Sequence, residues 1–252
     1  MALINLKFFS PSLQKQTEVI VVLPQKETIE KRIEDCKCLY LLHGLSDDQT
    51  MWTRRSSIER YAEKYGICIV MPCGGRSFYF NQANGENYYD FVAKELPERI
   101  EEFFRVSNKR ENRYVAGLSM GGYGALKIAL KECDKFCAGA GLSSVANIKT
   151  ELFKDHLNNL LNGNTQIVDE DDLYRLVEEK ENYINKPKLY VWCGTEDFLY
   201  QDNVAFKEYV KNYQYDFTYS ESEGNHSWES WDSQIIKVIE WMVKDNNCDT
   251  EE

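Results

Sequence analysis

Histidine is scarce in this chain, with three copies in 252 residues at positions 43, 156 and 226. Any imidazole chemistry is therefore confined to three places. No apolar run approaches the ~18 residues that span a bilayer, so no membrane segment is expected. No basic cluster interrupts the excess of 41 acidic over 30 basic side chains, and a net charge of −11 argues against a nucleic-acid surface. The start, M-A-L-I-N-L-K-F-F-S-P, lacks the charged, apolar and small-residue parts of a secretory leader. It reads as a first strand, and a cytoplasmic location is expected. Eight cysteines in such a chain are expected to be reduced thiols, with Cys68, Cys137 and Cys193 acting as small buried hydrophobes. Cys36-Lys37-Cys38 and the Cys133 to Cys137 stretch have no second C-x-x-C or H-x-x-x-H to complete a zinc site. No metal and no cofactor are expected.

What is present is the pattern of an α/β protein. The 43% hydrophobic and 28% charged residues fit one domain with a substantial core. Residues 2–9 and 17–23 read as an edge hairpin turning at 10–12, followed by a polar connection over 25–37. Continuous apolar runs at 38–42, 67–71 and 188–193 read as buried strands, 112–116 as the end of a strand, and 136–142 and 216–221 as further strands. Helical patterns fall at 50–64, 88–95, 97–105 (Pro97 opening the last), 122–130, 201–212 and 230–244. The glycines and aromatics of 72–87 predict a mobile aromatic loop. Residues 143–187 form a charge-rich insertion with helical patches near 150–161 and 170–180, expected to act as a small helical cap. Residues 245–252 are an acidic tail. Strand and helix alternation predicts a mostly parallel sheet, helices on both faces, and function at the strand C-terminal ends.

One pentapeptide organises the rest: Gly117-Leu118-Ser119-Met120-Gly121, placed between a strand and a helix. This G-x-S-x-G run in that setting is the nucleophile-elbow pattern of the α/β-hydrolase fold. A serine at the tip of so sharp a turn sits in a strained conformation. Strand and helix then pass too closely for side chains at 117 and 121. Gly122 and Gly124 are expected to let the helix pack tightly on the sheet. The helix N-terminus favours a developing anion at the serine.

A serine hydroxyl becomes a nucleophile when a base takes its proton and a third group orients that base. In this fold the chain order is serine, acid, histidine. Of the two histidines after Ser119, His156 lies in the charged insertion and reads as a solvated surface residue. His226, in Glu223-Gly224-Asn225-His226-Ser227-Trp228, lies between the last strand and the last helix and is the expected general base. Glu196 and Asp197 both end a strand in Gly194-Thr195-Glu196-Asp197; Asp197 is the expected acid, Glu196 its surface neighbour, and Asp202 an ordinary helix-entry residue. The oxyanion donors are expected to be the backbone amides of Met120 and Leu45, with Gly44 permitting close approach and His43 bracing the loop. Trp52, Phe78, Tyr79 and Trp228 are expected to bind substrate, with Tyr88, Phe198 and Trp231 near the same mouth.

Several stretches together resemble the tributyrin esterase branch of the esterase D group of α/β-hydrolases, which includes S-formylglutathione hydrolases and feruloyl and acetyl esterases. They are L-L-H-G-L-S-D-D at 41–48, M-W-T-R-R-S-S-I-E-R-Y-A at 51–62, G-G-R-S-F-Y at 74–79, E-L-P at 95–97, G-L-S-M-G-G-Y-G-A-L at 117–126, C-G-T-E-D-F-L-Y at 193–200 and G-N-H-S-W at 224–228. The resemblance spans roughly 2–244 and implies a triad of Ser119, Asp197 and His226, with oxyanion amides at Leu45 and Met120. S-formylglutathione hydrolases carry histidine where this chain has Leu118 and Tyr123, and a Thr-Cys pair at Ser46-Asp47. The expected activity is therefore hydrolysis of short-chain acyl esters by a serine carboxylesterase. The alternatives are a thioesterase of the S-formylglutathione type, a feruloyl esterase, an acyltransferase, or a catalytically silent binding module. The expected partner is a small-molecule ester, with homo-oligomerisation left open, and neither nucleic acid nor membrane.

Overall fold

A computed structural model describes residues 1–25 and 32–244. Residues 26–31 of the polar connection over 25–37, and the acidic tail at 245–252, lie outside the described residues. Eight strands form one sheet: β1 (Ala2–Ser10), β2 (Lys15–Leu23), β3 (Cys38–Leu42), β4 (Cys68–Pro72), β5 (Arg113–Leu118), β6 (Ala138–Leu142), β7 (Lys188–Gly194) and β8 (Phe217–Ser222). Their spatial order is β1-β2-β4-β3-β5-β6-β7-β8. β1 pairs antiparallel with β2, and β2 with β4; every later pairing is parallel. β3, β4, β5 and β6 are buried at every position, which is why, Arg113 at the start of β5 apart, they show no alternation of apolar and polar residues.

Two apolar layers cover the sheet. On one face lie α2 (Ile58–Tyr65) and α10 (Trp228–Lys244), packed over Leu39, Ile69, Ala116 and Trp192. On the other, α5 (Met120–Lys131) lies over Tyr40, Leu42 and Val115, flanked by α8 (Leu173–Glu179) and α9 (Tyr200–Val210). α5 is buried at eleven of its twelve positions, from Met120 to Leu130, so it is wrapped rather than amphipathic.

Element boundaries differ from the sequence reading where local chemistry intervenes. The helix expected over 50–64 is two pieces, α1 (Met51–Arg55) and α2, because the Ser56 backbone is extended between them. The two patterns at 88–105 join into one rod: α3 (Tyr88–Asp90), a π-helical turn at Phe91–Glu95, and α4 (Leu96–Phe104), which Arg105 ends in a left-handed conformation. Between β6 and β7, residues 143–187 hold α6 (Glu151–Leu161), α8, and an unforeseen α7 (Thr165–Glu170). The loop expected to be mobile at 72–87 is instead core at its centre: Phe78, Tyr79 and Phe80 are all fully buried. Among the described residues no helix is long and apolar enough to cross a membrane. Seven cysteines lie among them and all are free thiols; no group of three or more metal-ligand side chains occurs there.

Candidate active site

Ser119 stands between β5 and α5 with φ 53° and ψ −117°, a region that side-chain-bearing residues rarely occupy. Its amide donates to Leu142 O and its carbonyl accepts from Tyr123 N–H, so both flanks of the turn are pinned. Close packing explains the glycines around it. A Cβ on Gly117 would lie 2.4 Å from Gly121 O, and one on Gly121 would lie 2.6 Å from His43 O. Gly122 and Gly124 have a different reason from the expected sheet packing: their Cβ atoms would strike Ser144 Oγ at 2.5 Å and the Tyr79 ring at 2.4 Å. Those neighbours come from the loops around the site.

The acid and the histidine arrive on adjacent loops after β7 and β8. Thr195 N–H donates to Ser222 O, and Glu196 N–H donates to Gly224 O at 2.9 Å, so the two loops are zipped together. The approach leaves no room for a side chain at Gly194, whose Cβ would meet Gly224 O at 2.2 Å. Sequence-distant residues thereby converge. His226 Nε2 lies 3.0 Å from Ser119 Oγ. His226 Nδ1 lies 2.9 Å from Asp197 Oδ2 and 3.1 Å from Oδ1. With Nε2 placed to accept from the serine hydroxyl, Nδ1–H is the donor to the carboxylate.

Asp197 is buried whereas Glu196 is exposed, and only the former faces the imidazole. Burial pushes the Asp197 carboxyl up. Hydrogen bonds from His226 and the Leu199 amide outweigh that and hold it below the usual carboxylate range. Ser143 also lowers it, a contribution the sequence reading missed. Ser143 is fully buried at φ 47°, and its Oγ accepts from Trp231 Nε1 at 3.0 Å. Its position at the end of β6 was the only signal available, since Ser143 and Ser144 sit in an unremarkable small-residue run.

A cavity of about 570 Å³ opens over the serine. Leu45 and Met120 line it together with Gly44 and Ser119. Among the described residues, neither the Leu45 nor the Met120 amide donates to a protein acceptor. The loop that carries Leu45 is held by its neighbour. His43 Nδ1–H donates to Gly44 O (2.7 Å), and Nε2 accepts from Gly74 N–H (2.8 Å). Burial lowers the His43 pKa, which keeps the ring in the neutral form these two bonds require.

The expected aromatic residues divide. Phe78 and Trp228 line the cavity, as do Phe198 and Trp231. Trp52 and Tyr79 do not: each is buried in the core and spends its polar atom on backbone, Trp52 Nε1 on Leu42 O and Tyr79 OH on His43 O. Trp52 instead supports Trp228 edge-on, with ring centroids 5.0 Å apart. His156 is not the solvated residue expected. Its Nε2–H donates to Arg76 O at 2.7 Å and its ring packs on Phe78.

An eight-stranded, mostly parallel sheet in this order, with a serine turn and a histidine loop at its strand C-terminal ends, is the α/β-hydrolase arrangement. The family model described as "Putative esterase" matches residues 10–242. An acetyl esterase of Caldicellulosiruptor saccharolyticus is 33% identical, over 97% of this chain and 99% of its own. Two Staphylococcus aureus structures are similar. FphF, a fluorophosphonate-binding serine hydrolase with substrate bound, has TM-score 0.87 and 34% identity over 96% of this chain and 98% of its own. The S-formylglutathione hydrolase FrmB as apoenzyme has TM-score 0.86 and 35% identity over the same shares. The chain belongs to this esterase family and is a carboxylic ester hydrolase.

Proposed function

We propose that the chain hydrolyses short-chain acyl esters through an acyl-enzyme formed on Ser119, with His226 as general base, Asp197 as the orienting acid, and the Leu45 and Met120 amides as oxyanion donors. The observation that carries this is the continuous line from Ser119 Oγ to His226 Nε2 (3.0 Å) and from His226 Nδ1 to Asp197 Oδ2 (2.9 Å). As Oγ attacks the ester carbonyl, its proton passes to Nε2. The imidazolium is stabilised by a carboxylate held ionised, and the new negative charge falls toward two unspent amides. His226 then returns the proton to the departing alcohol. Water repeats the sequence on the acyl-enzyme and frees the acid.

A cavity of about 570 Å³ suits a small ester. The 143–187 insertion serves as its cap, contributing Val145 and Phe153 to the lining. Buried free thiols fit a reducing compartment such as the cytoplasm. The decisive experiment is turnover of p-nitrophenyl acetate and butyrate. Ser119→Ala is expected to lower kcat by ~10⁶ and Asp197→Asn by ~10⁴, with KM little changed. Retained turnover in Ser119→Ala would sink the proposal.

A second reading, S-formylglutathione hydrolysis, is favoured by the similarity to FrmB. Leu118 and Asp47, both lining the cavity where S-formylglutathione hydrolases carry other residues, weigh against it, since an ionised Asp47 would oppose the acidic glutathione moiety. A higher kcat/KM for S-formylglutathione than for p-nitrophenyl acetate would reverse the order. A panel including feruloyl and acetylated sugar esters tests the remaining ester classes.

A further inference from the structure

Lys127 is the most deeply buried cation among the described residues, with no exposed side-chain surface. Such a charge is tolerated only when its three N–H donors and its field are answered locally. Here Nζ donates to Asp171 Oδ2 at 3.1 Å, to Tyr79 O at 2.8 Å and, more weakly, to Phe78 O at 3.4 Å. It also lies 3.7 Å above the Phe80 ring and 4.9 Å from the Tyr123 ring. Burial pushes the ammonium down to about 8, and Asp171 opposes that fall.

What the lysine holds is unusual. Phe78 and Tyr79 are consecutive left-handed residues, with φ 49° and 53°, both fully buried. Two such residues in succession persist only where the surroundings over-determine them. Their side chains and amides reach both halves of the oxyanion hole. Phe78 N–H donates to Met120 Sδ at 3.3 Å, and Tyr79 OH donates to His43 O at 3.0 Å, one residue before Gly44 and two before Leu45. The ring of Tyr79 also fills the space that Gly124 of α5 leaves empty. On its other side Lys127 is tied to the 143–187 segment. Asp171 pairs there with Lys131 as well, and its carbonyl accepts from Tyr123 OH at 2.9 Å.

We propose that Lys127 is a positioning residue for the oxyanion hole: through the Phe78–Tyr79 turn it couples the docking of the 143–187 segment to the geometry of both amide donors. The inference rests on the serine-esterase reading of the site. Lys127 touches no substrate; it acts through the turn. A structural lysine would change how much protein folds, whereas a positioning lysine changes how well each folded site stabilises the oxyanion.

The test compares wild type, Lys127→Met, Asp171→Asn and the double variant after titrating competent sites to completion with a fluorophosphonate. Two quantities are then measured per titrated site. One is kcat and KM on p-nitrophenyl butyrate. The other is Ki for an aliphatic trifluoromethyl ketone, whose carbonyl carbon takes Ser119 Oγ while the serine proton passes to His226 and the charge rests on the former carbonyl oxygen. Lys127→Met is expected to lower kcat roughly 10- to 100-fold and to raise Ki in proportion, with KM within about threefold. Asp171→Asn is expected to lose more than about threefold in the same direction, and the double variant to be no worse than Lys127→Met. Values of kcat and Ki per site within about twofold of wild type, or a rise in KM alone, would overturn the proposal. If Lys127→Met yields no soluble protein, Asp171→Asn decides by the same criteria. Ser119→Ala is run alongside: turnover or ketone binding that survives it refutes the serine reading itself, whatever the lysine variants do.

Discussion

At the scale of single residues, protonation state organises the site as much as position does. His43 illustrates this. Its ring is buried with one nitrogen donating and the other accepting, so a second proton would break the bond from Gly74. Burial accordingly holds its pKa below the ordinary 6.5. The unfolded chain takes up that proton first as pH falls, so the stabilisation is fully present above 6.5 and is lost as pH drops below it toward the folded value. Urea unfolding between pH 7.5 and 5.5 is expected to show stability falling with pH, by at most ~1.4 kcal/mol per pH unit from this residue. His43→Asn, stable or not, is expected to flatten that slope; an unchanged slope would show that the imidazole is not the group responsible. Asp197 works in the same direction at lower pH. Its depressed pKa stabilises the fold above the usual carboxylate value and is lost only as pH falls through the lower folded one.

At the scale of elements, the loops after β7 and β8 act as one unit because Gly194 allows their backbones to touch. Gly194→Ala is expected to force the two loops apart, costing about 1–3 kcal/mol of stability. It should also lower kcat by at least ~10², since the His226–Asp197 and His226–Ser119 spacings both depend on that approach. Circular dichroism melts and p-nitrophenyl butyrate kinetics check the two parts separately. The serine turn was legible in the sequence because its physics is local: glycines two before and two after a serine between a strand and a helix leave few other readings. The acid was less so. Glu196 and Asp197 are neighbours of similar chemistry, and only the turn after Gly194 decides that one is buried against the imidazole while the other is exposed. The aromatic residues were least legible. Trp52 and Tyr79 carry the same sequence signals as Trp228 and Phe78, yet their hydrogen bonds to Leu42 O and His43 O turn them into the core.

At the scale of the whole molecule, the segment between β6 and β7 supplies one wall of the cavity. Phe153 of α6 lines it and packs edge-on against Phe78, with ring centroids 5.2 Å apart. Phe153→Ala would open that wall. Its kcat/KM on p-nitrophenyl octanoate relative to butyrate is expected to rise by about 5- to 20-fold, corresponding to ~1–2 kcal/mol of added apolar contact. An unchanged ratio would place the acyl chain elsewhere in the cavity. The same segment delivers Asp171 to Lys127, so its docking and the packing of α5 are parts of one buried arrangement.

The sequence by itself determined the alternation of strands and helices, the burial of the central strands, and the serine turn, because each follows from neighbours along the chain: apolar runs, turn residues and the space a glycine leaves. The tertiary structure alone decided which of two adjacent carboxylates meets the histidine, which aromatic rings face the cavity, and that a buried lysine grips the Phe78–Tyr79 turn. Those outcomes depend on groups brought together from across the sheet, where a contact of about 3 Å between residues a hundred positions apart leaves no trace in local pattern.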